Sequence, residues 1–246
     1  MNKKALTLSL IAVLISFLGG FLLANALNKN ELDTLRENID KLKKSLSTET
    51  QTSSEITLSD EELRGKISEA DQNPTNLIVQ RNLGLALYRY ALLKQDTEIL
   101  LDVARLLMRV YEKNSNDTEV TITLGNVYFD IGYFRKDDAN FQKAREFYGQ
   151  ALRQKPNNAD VRTDLGLTYF LLNAPEYEKA VIEFQKALQI NPRHEKTLQV
   201  ISEAFLAQNK FAEAEKNILK LREVNANNPG LTDLTARLEE SRSSSQ

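Results

Sequence analysis

The chain of 246 residues contains no cysteine. Disulfides, thiolate nucleophiles, cysteine-based metal sites and lipid attachment to a cysteine are therefore excluded. Histidine is nearly absent as well. His194 is the only one; it reads as an exposed loop residue just past Pro192, with no second imidazole to complete a metal pair. Neither sign of charge is in excess, with 32 Lys+Arg against 34 Asp+Glu. The basic face that marks a nucleic-acid-binding protein is thus not expected, nor a nucleic-acid partner. Phosphate-binding glycine loops, the G-x-S-x-G elbow and the H-E-x-x-H pair do not occur. The stretch from Asp130 to Asn140 lacks the turn glycine and the terminal glutamate of a calcium loop. Asp137-Asp138 and Glu239-Glu240 are acidic pairs in polar surroundings and read as solvated faces. Asn116-Asp117-Thr118 fits a glycosylation acceptor on three residues only. No constellation for catalysis remains, so the expectation is a protein that is not an enzyme, with no catalytic residue, metal or cofactor.

What the chain does contain is a recurring helical pattern. Between Ala159 and His194 two amphipathic segments are joined by a turn at Asn173-Ala174-Pro175 and closed by Asn191-Pro192. Small residues stand where the two helices must touch: Gly166 in the first, Ala180 and Ala187 in the second. A side chain no larger than a methyl lets helix axes approach at the short end of the usual range of about 8–10 Å. Leu165, Tyr169, Phe184 and Leu188 supply apolar area around them. One such hairpin cannot bury its own apolar faces and needs neighbours. The pairs Leu83-Gly84, Leu124-Gly125, Leu165-Gly166 and Ile201-Ser202 fall 41, 41 and 36 positions apart. Ala144, Ala180 and Ala214 follow at 36 and 34, and Pro156 and Pro192 close two second helices. A period of this size signals stacked supersecondary units.

The LG…Y…A…F/Y…A…P series resembles the tetratricopeptide repeat family, whose unit is a helix–turn–helix of about 34 residues. The resemblance covers Leu77 to Asn228. It implies an all-α protein, a right-handed α-solenoid of four hairpins over 77–117, 118–158, 159–194 and 195–228. Gln80, Thr121, Arg162 and Leu198 stand where the family has a large aromatic residue. The first two units are longer than the family's, with the excess around Leu92–Glu98 and Phe134–Phe141. Because Leu92, Leu93, Ile99, Phe134 and Phe141 keep these inserts apolar, they are expected to lengthen the helices and not to form loops. A capping box at Ser59-Asp60-Glu61-Glu62 opens a helix over 59–73 with Leu63, Ile67 and Ala70 on one face. Leu231, Leu234 and Leu238 form one stripe of a closing helix over 229–240, followed by a disordered tail over 241–246. Terminal helices with a polar outer face are what a stack of repeats requires for solubility.

The resemblance also implies a binding groove lined by the first helix of each unit. The residues mapped to it are Arg81, Leu85, Tyr88 and Arg89, then Ile122, Asn126, Phe129 and Asp130. The third and fourth units add Thr163, Leu167, Phe170 and Leu171, then Gln199, Glu203 and Leu206. The version of the family that clamps a terminal carboxylate uses Lys and Asn. Asn126 matches one such position, while Ile122 and Thr163 stand where Lys is expected. Leu85, Tyr88, Phe129, Leu167 and Phe170 suit a peptide or helix from another protein, although the same spacing would serve to fill the core between units.

The N-terminal region reads as a membrane tether. After a basic start over 1–4, residues 5–27 carry no charge; as a helix they span roughly 35 Å, enough for a hydrocarbon core of about 30 Å. A cleaved secretory signal is the alternative, since Ala24-Asn25-Ala26 offers a cleavage site. Lys3 and Lys4 favour a cytoplasmic N-terminus and a periplasmic repeat domain on a single-pass inner-membrane protein; Lys29, Arg36, Lys41, Lys43 and Lys44 pull the other way. Ala12, Ser16, Gly20 and Ala24 form a stripe of small residues that would let two spans approach. Over 28–46, Leu32, Leu35, Ile39, Leu42 and Leu46 alternate by three and four, as the core of a short coiled coil does. Together they suggest a parallel homodimeric stalk; a single amphipathic helix is the alternative. Residues 47–58 are polar, rich in Ser and Thr, and read as a flexible linker. Two functions fit: a membrane-anchored scaffold or assembly factor holding a client protein, as in envelope tetratricopeptide proteins, or a structural accessory subunit of a larger membrane complex.

Overall fold

The protein is described by a computed structural model over residues 59–243. The run 5–27, the coil segment 28–46, the linker 47–58 and the last residues, 244–246, lie outside the described residues, and with them every residue of the expected stalk. Among the described residues the chain is all α, with ten helices and no strand. They are α1 (Asp60–Gln72), α2 (Leu77–Lys94), α3 (Thr97–Lys113), α4 (Thr118–Arg135), α5 (Asp138–Gln154), α6 (Ala159–Phe170), α7 (Tyr177–Ile190), α8 (Glu195–Ala207), α9 (Phe211–Val224) and α10 (Leu231–Ser243).

Helix starts follow from side chains that satisfy the free N–H groups of a first turn. Asn76, Asp96, Asp117, Asp137 and Asn158 each accept from a backbone N–H at the head of α2 to α6 in turn. At α1 the Ser59 backbone N–H donates to Glu62 Oε2 at 2.8 Å, and the Glu62 backbone N–H donates to Ser59 Oγ at 3.2 Å. The long units place their extra residues in the helices. Helices α2 and α3 have 18 and 17 residues, whereas α6 and α7 have 12 and 14. Only Gln95-Asp96 and Lys136-Asp137 remain as turns in the long hairpins. Gln95 and Lys136 adopt left-handed backbones at φ 53° and 52° to close them.

Helices pair as α2–α3, α4–α5, α6–α7 and α8–α9, and each hairpin packs on the next. The small residues lie at these crossings. Ala144, Ala180, Ala187 and Ala214 are fully buried. A Cβ on Gly84 would meet Leu107 Cδ2 at 2.6 Å, and one on Gly166 would meet Phe184 Cε1 at 2.5 Å. In the fourth unit Ser202 takes the glycine's place; it is buried, and its hydroxyl donates to the Leu198 carbonyl at 2.7 Å.

First helices touch along most of the stack, α2 with α4, α6 with α8, and α8 with the closing α10. Second helices make no comparable contact with each other. The stack is therefore tighter along its first helices, which makes that side the inner one. Helix α1 covers the open flank of the first hairpin, with Leu63, Ile67 and Ala70 buried against it.

Two expectations need correction. The closing helix does not end at Glu240 but continues to Ser243. Arg242 holds this extra turn with a two-pronged pair to Glu215, at 3.0 and 2.6 Å. His194 is not an exposed loop residue. It is half-buried at the head of α8, where Nδ1 meets Thr197 Oγ1 at 2.5 Å and Nε2 meets Asp160 Oδ1 at 3.0 Å. It therefore joins the third unit to the fourth.

Candidate functional site

The inner side of the first helices carries the residues mapped to a groove. In α2, positions 81, 85 and 88 share a face by helical spacing. Arg81 is taken up by ion pairs across the joint to α4: Nε donates to Asp117 Oδ2 at 2.8 Å and Nη2 to Glu119 Oε2 at 2.5 Å. Leu85 and Tyr88 are half-buried against the core of the first two units. Arg89, beside them, is exposed.

In α4, Ile122 and Phe129 are half-buried against the core around Tyr148. Phe129 meets Phe141 edge to face at 5.5 Å. Asn126 accepts a hydrogen bond from the Tyr148 hydroxyl at 2.9 Å, and Asp130 accepts one from the Tyr88 hydroxyl at 2.8 Å. The third unit contributes Leu167 and Phe170, both half-buried, with Phe170 tilted against Tyr177 at 5.6 Å. Leu171 caps the end of α6 and is half-buried. In α8, the Gln199 side-chain amide donates to Glu203 Oε1 at 3.1 Å.

Two of the mapped residues do not face this side. Thr163 is fully buried; its hydroxyl donates to the Ala159 carbonyl at 2.7 Å and lies 2.6 Å from Thr197 Oγ1, inside the joint between units. Leu206 is only 6% exposed and belongs to the core of the last two units. The remaining apolar residues divide their area between core and surface, so the groove wall and the packing between units are one set of side chains.

Two groups at this site were not singled out by sequence. Asp164, next to Thr163, is ion-paired with Lys196 Nζ at 2.5 Å. Tyr148 carries the one fully buried phenol ring, reaching from the second helix through to Asn126. Tyr88, mapped as an apolar lining residue, works through its hydroxyl. Repeat spacing carried no sign of these polar links, because each depends on a partner in another helix.

The field in this region is negative. Burial pushes the Asp130 carboxyl up to about 6; the Tyr88 hydrogen bond opposes the rise, the charge of Asp164 adds to it, and the charge of Lys196 opposes it. Burial likewise raises Asp164, with Lys196 opposing. The Tyr88 and Tyr148 phenols are raised by burial first and by the two aspartates second. Among the described residues no group of His, Asp and Glu forms a metal cage. No helix among them is long and apolar enough to cross a membrane.

Comparison with known proteins fits this geometry. No curated protein sequence matches the chain. Two crystal structures of MamA superpose with a TM-score of 0.53 at 21% identity; each covers 67% of this chain, and 87% or 81% of its own. A tetratricopeptide repeat protein from Parabacteroides merdae superposes with a TM-score of 0.50 at 20% identity, over 65% of this chain and 60% of its own. Residues 125–158 match the tetratricopeptide repeat family model. That segment matches a tetratricopeptide repeat, and the stack of hairpins around it shares the fold of these solved structures.

Proposed function

We propose that this chain is a membrane-anchored scaffold that holds a client protein on the inner face of its first helices, close to the bilayer. The observation that carries the binding part is the row Leu85, Ile122, Phe129, Leu167 and Phe170. Each is packed on the core yet keeps area for solvent, which is the surface an apolar segment of another protein covers. Anchoring is supported by the sequence alone, through the uncharged run 5–27. The same run, preceded by Lys3 and Lys4, supports a periplasmic repeat domain. The small-residue stripe and the leucines of 28–46 support a parallel dimer.

Affinity purification of the full chain from solubilised membranes tests this reading. Substoichiometric client, lost when Leu85→Ser and Phe170→Ser are combined, is the expected result. One partner held at full stoichiometry through high salt, and kept by that double variant, would make the protein an accessory subunit instead. A reporter fused after Gln246 reads the orientation. Crosslinking in membranes that yields monomer alone would remove the dimeric stalk.

A further inference from the structure

Along the first helices most charged groups that lie near Asp130 are paired with a group of opposite charge, and Asp130 is not. Arg81 is committed to Asp117 and Glu119, Arg162 to Glu183 at 3.0 Å, and Lys196 to Asp164. The Asp130 carboxylate has no cation bonded to it among the described residues; only the Tyr88 hydroxyl donates to it. It is half-buried, not sealed, and sits one residue from Phe129 and one turn from Asn126 on α4. Leu85 on α2 and Leu167 and Phe170 on α6 provide apolar area on the two sides. A partly desolvated carboxylate without a cationic partner is a costly arrangement. The cost appears as its raised proton affinity, which burial and the neighbouring Asp164 charge produce and the Lys196 charge, already bonded to Asp164, only partly offsets.

We propose that the client segment on this face is apolar and basic: a Lys or Arg side chain sits against Asp130, and the flanking apolar residues cover Leu85, Phe129, Leu167 and Phe170. This rests on the groove reading above and specifies its partner. The chemistry is opposite to that of a carboxylate clamp. Ile122 offers no charge, Thr163 is buried, and Asp130 repels an acidic or carboxylate-terminated segment. A basic side chain gains a charge-assisted bond at a site shielded from water on one side. Its aliphatic stem also covers apolar surface that a short polar side chain cannot.

Three fluorescent peptides provide the test. Each has capped ends and a Leu–Ala helical frame, with Lys, Gln or Glu at its centre. Binding to the full chain in detergent is read by anisotropy. The Lys peptide is expected to bind at least about ten-fold more tightly than the Glu peptide, a difference of about 1.4 kcal/mol. Asp130→Asn is expected to reduce that ratio to about two-fold or less. Asp233→Asn, on the closing helix beside Arg237, keeps it. Equal binding of the Lys and Glu peptides, or a preference that survives Asp130→Asn, overturns the proposal while leaving the groove in place. If none of the peptides binds, or if binding is indifferent to Leu85→Ser and Phe170→Ser, the groove reading falls and the proposal with it.

Discussion

The ring of Tyr148 lies against the backbone of Gly125, so closely that a Cβ there would meet Cδ1 and Cε1 at 2.6 Å. The absence of one methyl group lets α4 and α5 close on each other. The same closeness carries the Tyr148 hydroxyl through to Asn126 on the inner face.

Gly125→Ala therefore forces a fully buried ring to move. Overpacking of this kind costs about 1–3 kcal/mol, and the midpoint of thermal unfolding should fall. Gly65→Ala is the matched control: nothing lies within 4 Å of the Cβ it would add, and α1 gains about 0.5–1 kcal/mol from the better helix former. Equal responses from the two variants would contradict the close-approach argument.

Lys136 closes the second long hairpin with a left-handed backbone at φ 52°. Glycine adopts that conformation without the Cβ penalty. Lys136→Gly should stabilise the chain by about 0.5–1 kcal/mol, read as a higher denaturant midpoint with an unchanged slope. Lys136→Val should lower it.

Burial raises Asp130 from the ordinary 3.8 to about 6 in the fold, with Asp164 adding to the rise. A folded pKa above the unfolded one means that the native state holds the proton more tightly. The stabilising contribution is complete below about pH 4 and is lost as pH rises through about 6. Asp130→Asn keeps an oxygen for the Tyr88 hydroxyl and removes the charge. It should raise stability by about 1–2 kcal/mol at pH 8, after allowance for the group's partial exposure, and by little at pH 3.5. Urea unfolding across that range checks the sign.

The first helix is tied down by a buried amide. Gln80 Nε2 donates to the Ala70 and Asn73 carbonyls at 2.6 and 3.1 Å, and its oxygen accepts from Arg109 Nη1 at 3.0 Å. Arg109 and Arg105 both reach Asp71. Gln80→Ala leaves those groups without their partner, at about 1–3 kcal/mol, and hydrogen exchange should rise first over 60–72.

This network shows where the sequence stops being readable. The glycines and alanines recur at a fixed period because every hairpin makes the same crossing, so Gly84, Gly125 and Gly166 announce the fold. Gln80 stands at a position where the resembled family has a large aromatic residue, and its three partners come from α1, the turn after it and α3. No repeat pattern encodes them. Of the residues mapped to the groove, Thr163 and Leu206 are buried. Thr163 and Asp164 are one helical step apart, and Thr197 of the next unit draws Thr163 into the joint. Such a cross-unit hydroxyl pair leaves no trace in hydrophobic periodicity. His194 was misplaced for the same reason: Asp160 and Thr197, its partners, are distant in the chain or hidden in a helix start.

Which side of the stack meets a partner is decisive for the proposed function. Photocrosslinking side chains placed singly at Tyr88, Phe129 and Phe170, and at Ile182 and Leu219 on the second helices, test this in native membranes. Discrete adducts from the first three positions and none from the last two are predicted. Adducts from Ile182 and Leu219 alone, or from all five alike, would contradict binding on the inner face.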